Sequence, residues 1–210
     1  MNQKDVVKII EILKDTYPDA KCSLDFSTPF ELLVAVVLSA QCTDNRVNLT
    51  TPSIFCKYST PEDFANIDLK ELEDLVHPCG FYRNKAKNIK AAAQKIVSDF
   101  NGIVPNNMED LMSLPGVGRK SANVIMLEAF NQPQGIAVDT HAKRLSNRIG
   151  LSSETDPLKI EMDLKNIIPY SYFKDVNHLF MWHGRNICTS QNPKCSTCPI
   201  AKYCKNPANL

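Results

Sequence analysis

Apolar residues recur at intervals of three and four along almost the whole chain. Val6, Ile9, Ile10 and Leu13 make one stripe, and Ala86, Ile89, Ala93, Ile96 and Phe100 a second. Ala122, Ile125, Met126, Ala129 and Phe130 make a third, and Ala142, Leu145 and Ile149 a fourth. This is the period of amphipathic helices, and no segment alternates convincingly as a strand would, so the fold is predicted to be all-α. Thr28-Pro29-Phe30-Glu31 reads as a helix start: threonine as N-cap, proline at the first helical position, glutamate three residues on. The helix that follows is apolar on all sides and is expected at the centre of a core. Its uninterrupted run, Leu32 to Leu38, is too short to cross a bilayer. The protein is therefore expected to be soluble and cytoplasmic, with no membrane partner.

The pattern breaks at Leu114-Pro115-Gly116-Val117-Gly118-Arg119-Lys120. Two glycines around Val117 are expected to let consecutive backbone amides converge on one external acceptor, and the helix that follows brings its positive end to the same place. A phosphate suits such a site. Leu114, Gly116, Val117, Gly118 and Arg119 are thus candidate DNA contacts. Lys120 falls in the first turn of that helix beside Arg119, an electrostatic setting that disfavours an added positive charge. A lysine as free amine condenses with a sugar aldehyde to a Schiff base. Asp139 precedes an amphipathic helix from Thr140 to Ile149 and is its natural N-cap. Capping alone accounts for an aspartate there. The same fixed anion could also stabilise a cationic sugar as a glycosidic bond breaks.

Four of the 8 cysteines, Cys188, Cys195, Cys198 and Cys204, crowd one short segment with spacing C-x6-C-x2-C-x5-C. With only Cys195 and Cys198 closely paired, the spacing suits a four-iron cluster better than zinc, although it admits both. Cys22, Cys42, Cys56 and Cys79 show no pairing logic and read as reduced thiols. The net charge is only +1 across 210 residues, so any nucleic-acid affinity must come from local clusters. Arg83, Lys85, Lys87, Lys90 and Lys95 on one segment, and Arg119, Lys120, Lys143, Arg144 and Arg148 on others, are expected to form a basic face.

Taken together, these motifs resemble the endonuclease III family of bifunctional DNA glycosylases in the helix-hairpin-helix superfamily. The resemblance spans nearly the whole chain: Ser27-Thr28-Pro29-Phe30-Glu31-Leu32-Leu33, Leu38-Ser39-Ala40-Gln41-Cys42-Thr43-Asp44, Gly80-Phe81-Tyr82 with Lys85-Ala86, the Lys120 hairpin, Val138-Asp139-Thr140-His141, and His183-Gly184-Arg185 before the cysteines. It implies Lys120 as nucleophile and Schiff-base former, Asp139 as its carboxylate partner, and the four cysteines as ligands of a [4Fe–4S] cluster. It implies further that Gln41 fills the space left by an extruded nucleotide and Phe81 wedges beside it. Asp44 is a secondary candidate for polar support. The loop between Cys188 and Cys195 is usually more basic in the family and here carries only Lys194, its candidate DNA contact.

The implied architecture is two helical domains flanking a DNA cleft. One is a six-helix bundle over 22–132 with its hairpin at about 108–130. The other is an iron–sulfur domain built from 1–21 plus 133–210, with the cluster loop at 188–204. The implied activity is removal of oxidised pyrimidines from duplex DNA and cleavage 3′ to the abasic site by β-elimination. The protein would work as a monomer, on the nucleoid if its source is bacterial. Two alternatives remain at this point: a monofunctional adenine-mismatch glycosylase, whose family lacks a lysine at position 120, and a non-catalytic helix-hairpin-helix binding module.

Overall fold

A computed structural model of the chain describes residues 1–205, so residues 206–210, the end of the expected iron–sulfur domain, lie outside the described residues. The described residues form helices and turns with no strand. The chain divides into two compact units, Cys22–Gln134 and the combination of Met1–Lys21 with Gly135–Leu210.

The first unit holds six helices of six residues or more: α2 (Pro29–Ser39), α3 (Asp44–Phe55), α4 (Pro61–Asn66), α5 (Leu69–Val76), α6 (Tyr82–Phe100) and α8 (Arg119–Glu128). The five-residue α7 (Met108–Met112) is the first arm of the hairpin that α8 completes. Helix α2 runs through the core with every residue from Phe30 to Leu38 buried. Its start is built from the residues that announce it, with Thr28 Oγ1 accepting from the Glu31 amide at 3.2 Å. The Glu31 carboxylate reaches one residue further back than a standard capping box, accepting from the Ser27 amide at 2.6 Å. Around α2 pack the stripe of α6 (Ala86, Ile89, Ala93, Ile96) and that of α8 (Ala122, Ile125, Met126). Helix α8 stops at Glu128, so Ala129 and Phe130 extend the apolar period past the helix end.

The second unit packs α1 (Gln3–Thr16), α9 (Thr140–Ile149), α10 (Pro157–Ile167) and α11 (Phe173–Asn186) around Ile9, Ile10, Leu13, Leu145, Leu164 and Phe180. Here α1, from the start of the chain, joins helices some 130 residues later, and each contributes an apolar stripe. No helix among the described residues is long and apolar enough to cross a membrane.

Candidate functional site

The hairpin turn lies between α7 and α8. Leu114 and Val117 bury their side chains, at 2% and 5% exposure, in the core of the first unit. Their side chains are therefore anchors, and only their backbone is left to meet a phosphate. Gly116 sits at φ +83°, where a side chain is strained, and an added Cβ would come within 3.0 Å of Asn88 Cβ. Only Gly116 of the two glycines uses the conformational freedom that glycine offers, and Gly118 does not. Its φ of −90° and ψ of 176° are extended backbone open to any residue, and a Cβ there would meet open space. As N-cap of α8 it offers no side chain to the helix, which leaves the amide end of α8 unobstructed. Gly116→Ala is expected to cost about 1–2 kcal/mol of stability, readable as a lowered denaturation midpoint, while Gly118→Ala, with no left-handed strain to add, should cost less than about 1 kcal/mol.

Arg119 and Lys120 occupy the first two positions of α8, and Lys120 is exposed. Its ammonium is felt by the Cys22 thiol. Burial pushes that thiol up to about 11; the Leu24 backbone contact and Lys120 pull it down, and Glu128 and Asp44 push it further up. Asp44 acts on the same thiol. It begins α3, and one of its carboxylate oxygens accepts from the Ser23 hydroxyl at 2.6 Å.

Gln41 and Phe81 are both exposed, Phe81 at 65%. Each stands in left-handed backbone, at φ +53° and +47°. Non-glycine residues held there cost about 1–3 kcal/mol and cluster at functional sites. Their neighbours share one core: Cys79 is buried in it and Cys42 packs against it.

Asp139 belongs to the second unit. It N-caps α9, its carboxylate accepting from the Ala142 amide at 2.7 Å, and it is half-buried. Helix α9 carries Arg144 and Arg148 one turn apart, and both reach the cysteine loop. Arg144 Nε donates to the Cys188 carbonyl at 2.9 Å. Arg148 donates to the carbonyls of Thr189 (2.6 Å) and Ser190 (2.9 Å) and lies 3.4 Å from Cys188 Sγ. The helix whose first residue is capped by Asp139 is thus bolted to the loop that holds the thiols.

Cys188, Cys195, Cys198 and Cys204 line one small cavity, otherwise walled chiefly by Leu145, Ile149, Ile187, Pro193 and Ile200. Among the described residues no three His, Cys, Asp or Glu gather as ligands of a single metal ion would. Four thiols around an apolar cavity are a donor set that suits an iron–sulfur cluster. Burial pushes the Cys198 thiol up, and Cys188, Cys204 and Cys195 add to the shift, so four thiolates side by side require a cationic centre among them. His183 Nε2 lies 3.5 Å from Cys198 Sγ, with its other nitrogen 3.0 Å from the Tyr17 hydroxyl. Burial pushes the His183 pKa down to about 4. Lys194 is exposed on the loop, whose own backbone ties Lys194 to Ile187.

Several cations of the expected basic face also bond the fold, and Lys85 is withdrawn from the surface. Lys90 donates to the carbonyls of Ala65 and Ile67, Lys95 to Ser113, Lys143 to Thr155, and Lys85 is buried. These cations, with Arg144 and Arg148, satisfy carbonyls of the fold. The roles of Arg144, Arg148, His183 and Lys85 were not separable in the sequence from solvated charge. The single available signal was Arg144 and Arg148 recurring at the four-residue spacing of one helix face.

With this geometry in view, comparison with known proteins is specific. Residues 34–170 match the family model of the HhH-GPD superfamily of base excision DNA repair proteins, and residues 188–204 match the iron-sulfur binding domain of endonuclease III. The chain is 50% identical to endonuclease III of Synechocystis sp., over 94% of this chain and 90% of that one. Its structure superposes on a non-covalent endonuclease III–DNA complex with TM-score 0.92, at 41% identity, covering 99% of this chain and 97% of the other. A trapped endonuclease III–DNA covalent intermediate gives TM-score 0.93 at the same identity and coverage.

Proposed function

The chain belongs to the endonuclease III family, and from that premise we propose that Lys120 and Asp139 carry the chemistry on DNA. The protein is a DNA glycosylase with abasic-site lyase activity that acts in base excision repair on duplex DNA. It carries a [4Fe–4S] cluster held by Cys188, Cys195, Cys198 and Cys204. Neither the adenine-mismatch reading nor the non-catalytic module is favoured by relatives that match over the full length and include a covalent DNA intermediate.

The observation that carries the residue assignment is an exposed primary amine in the first turn of an unobstructed hairpin helix. A stacked base hides its sugar C1′, so the nucleotide must first leave the helix, at a cost of a few kcal/mol that is least for damaged bases. Gln41 takes the vacated space and Phe81 wedges beside it. The backbone of Leu114 to Arg119 holds a phosphate on the amide end of α8. Lys120 Nζ attacks C1′ as the damaged pyrimidine departs, and the Asp139 carboxylate stabilises the positive charge on the sugar. Ring opening leaves an imine between Nζ and C1′, which acidifies the C2′ proton. Loss of that proton expels the 3′ phosphate and nicks the strand. Asp44 supplies polar support near Lys120, and Lys194 meets the DNA backbone from the cluster loop. The protein works as a monomer in the cytoplasm, on the chromosome.

The cluster, when bound, supplies a covalent cross-link of the 188–204 loop and no step of the chemistry. Arg144 and Arg148 transmit that order to α9. Cys198→Ala is expected to lose the brown colour and its blue absorbance and to melt earlier, since ligand binding by a metal centre is also folding energy. A duplex with a single thymine glycol, with base release and strand nicking followed separately, tests the assignment. Release coupled to nicking supports a lysine nucleophile, and release alone contradicts it.

A further inference from the structure

Lys85 is 5% exposed, an unusual place for a lysine, and it sits in the first turns of α6, where the helix dipole also opposes a cation. Burial lowers its pKa from the ordinary lysine value, while the Cys42 and Cys79 thiols raise it. Something must offset these costs. Side chains on a helix lean toward its N-terminus, and Lys85 does so. Its ammonium donates to the Cys79 carbonyl at 2.8 Å. That carbonyl is the last of a short 3₁₀ turn, His77–Cys79, the negative end of a helical segment and a favourable partner for a cation. The Lys85 amide meanwhile donates to the Phe81 carbonyl at 3.2 Å.

One residue therefore grips the chain on both sides of Gly80-Phe81. Between the two grips both residues are left-handed: Gly80 at φ +67°, ψ 160°, and Phe81 at φ +47°, ψ 27°. Gly80 occupies a region that is essentially glycine-only, and Phe81 stores strain there. A turn of this kind persists only when its surroundings over-determine it. The exposed Phe81 ring has little packing of its own to hold it.

We propose that Lys85 is the positioning residue of the duplex wedge: by fixing the Cys79 and Phe81 carbonyls it holds the Gly80-Phe81 turn in its left-handed form and presents Phe81 to the DNA. The inference rests on the reading of Phe81 as a wedge and adds a residue that never meets DNA. Extrusion of a stacked base depends on the wedge. Cleavage at a preformed abasic site, where no base has to be unstacked, depends on it much less.

The test compares Lys85→Met, Gly80→Ala and Phe81→Ala with the unsubstituted holoenzyme on two duplexes, one with thymine glycol and one with a preformed abasic site, alongside thermal melts. Lys85→Met is expected to slow thymine glycol release about 10- to 100-fold, the scale of a misplacement of about an ångström. Abasic-site cleavage should slow by about threefold at most. Gly80→Ala should show the same ratio, because a Cβ there meets open space and acts only through the backbone. Equal losses on both duplexes, or no loss on either, would overturn the proposal. If Lys85→Met fails to fold, Gly80→Ala decides, and an unchanged ratio overturns it. A Phe81→Ala protein with an unchanged ratio brings down the wedge reading itself. A changed ratio for Phe81→Ala but not for Lys85→Met brings down only the role of Lys85.

Discussion

Lys120→Ala is expected to bind a thymine glycol duplex within a few-fold of the unsubstituted protein and to nick it at least about 10⁴-fold more slowly. The asymmetry follows from where the residue sits. Lys120 is an exposed side chain at the second position of α8, so its removal opens no cavity. The phosphate site proposed for the hairpin is made by backbone and by the end of the helix, which the substitution leaves in place. At most one cation–phosphate attraction is lost. The chemistry, in contrast, needs a primary amine at C1′, and no neighbouring side chain replaces it: Arg119 is a guanidinium that does not deprotonate. Binding by gel shift or anisotropy and nicking under single turnover separate the two. A variant that still nicked at the normal rate would remove Lys120 from the mechanism.

Asp139→Asn has the second largest expected effect, a slowing of base release by about 10²- to 10³-fold with little change in stability. Asparagine caps a helix about as well as aspartate, so the bond to the Ala142 amide at 2.7 Å can be kept while the negative charge is lost. Asp139→Ala removes both and should cost about 1 kcal/mol more of stability. The pair of variants separates the two functions that overlap at this position. If Asp139→Asn releases base normally and only Asp139→Ala is slow, the residue is a cap alone, and the electrostatic role assigned to it is wrong. Melting curves for both, with thymine glycol release under single turnover, give the comparison.

The parts legible in the sequence were those governed by local rules. The stripe Val6, Ile9, Ile10, Leu13 is buried at 0–1% exposure, because helical periodicity and core burial are the same constraint seen twice. The start at Thr28 and the cap at Asp139 were readable because a side chain meets an amide only three residues away. The four cysteines were readable as a metal site from spacing, though choosing iron over zinc needed the match of residues 188–204 to an iron-sulfur binding domain. What stayed hidden depends on distant partners. Lysine looks alike in sequence whether it is solvated or, as at Lys85 and Lys90, satisfies carbonyls of another segment. Of the residues expected on a basic face, Lys85 is therefore found in the core instead. Gly116 and Gly118 are indistinguishable by composition, yet one is left-handed and the other extended, since the turn needs positive φ at only one place. Phe81 could equally have been a core aromatic; its 65% exposure comes from the turn that carries it and not from its own character.

The most direct test of the central claim is borohydride trapping of the holoenzyme on a thymine glycol duplex, followed by proteolysis and mass mapping of the cross-linked peptide. A reduced DNA adduct on the peptide containing Lys120, absent from Lys120→Ala, is the predicted result. An adduct on another residue, or none with the unsubstituted protein, would contradict the account.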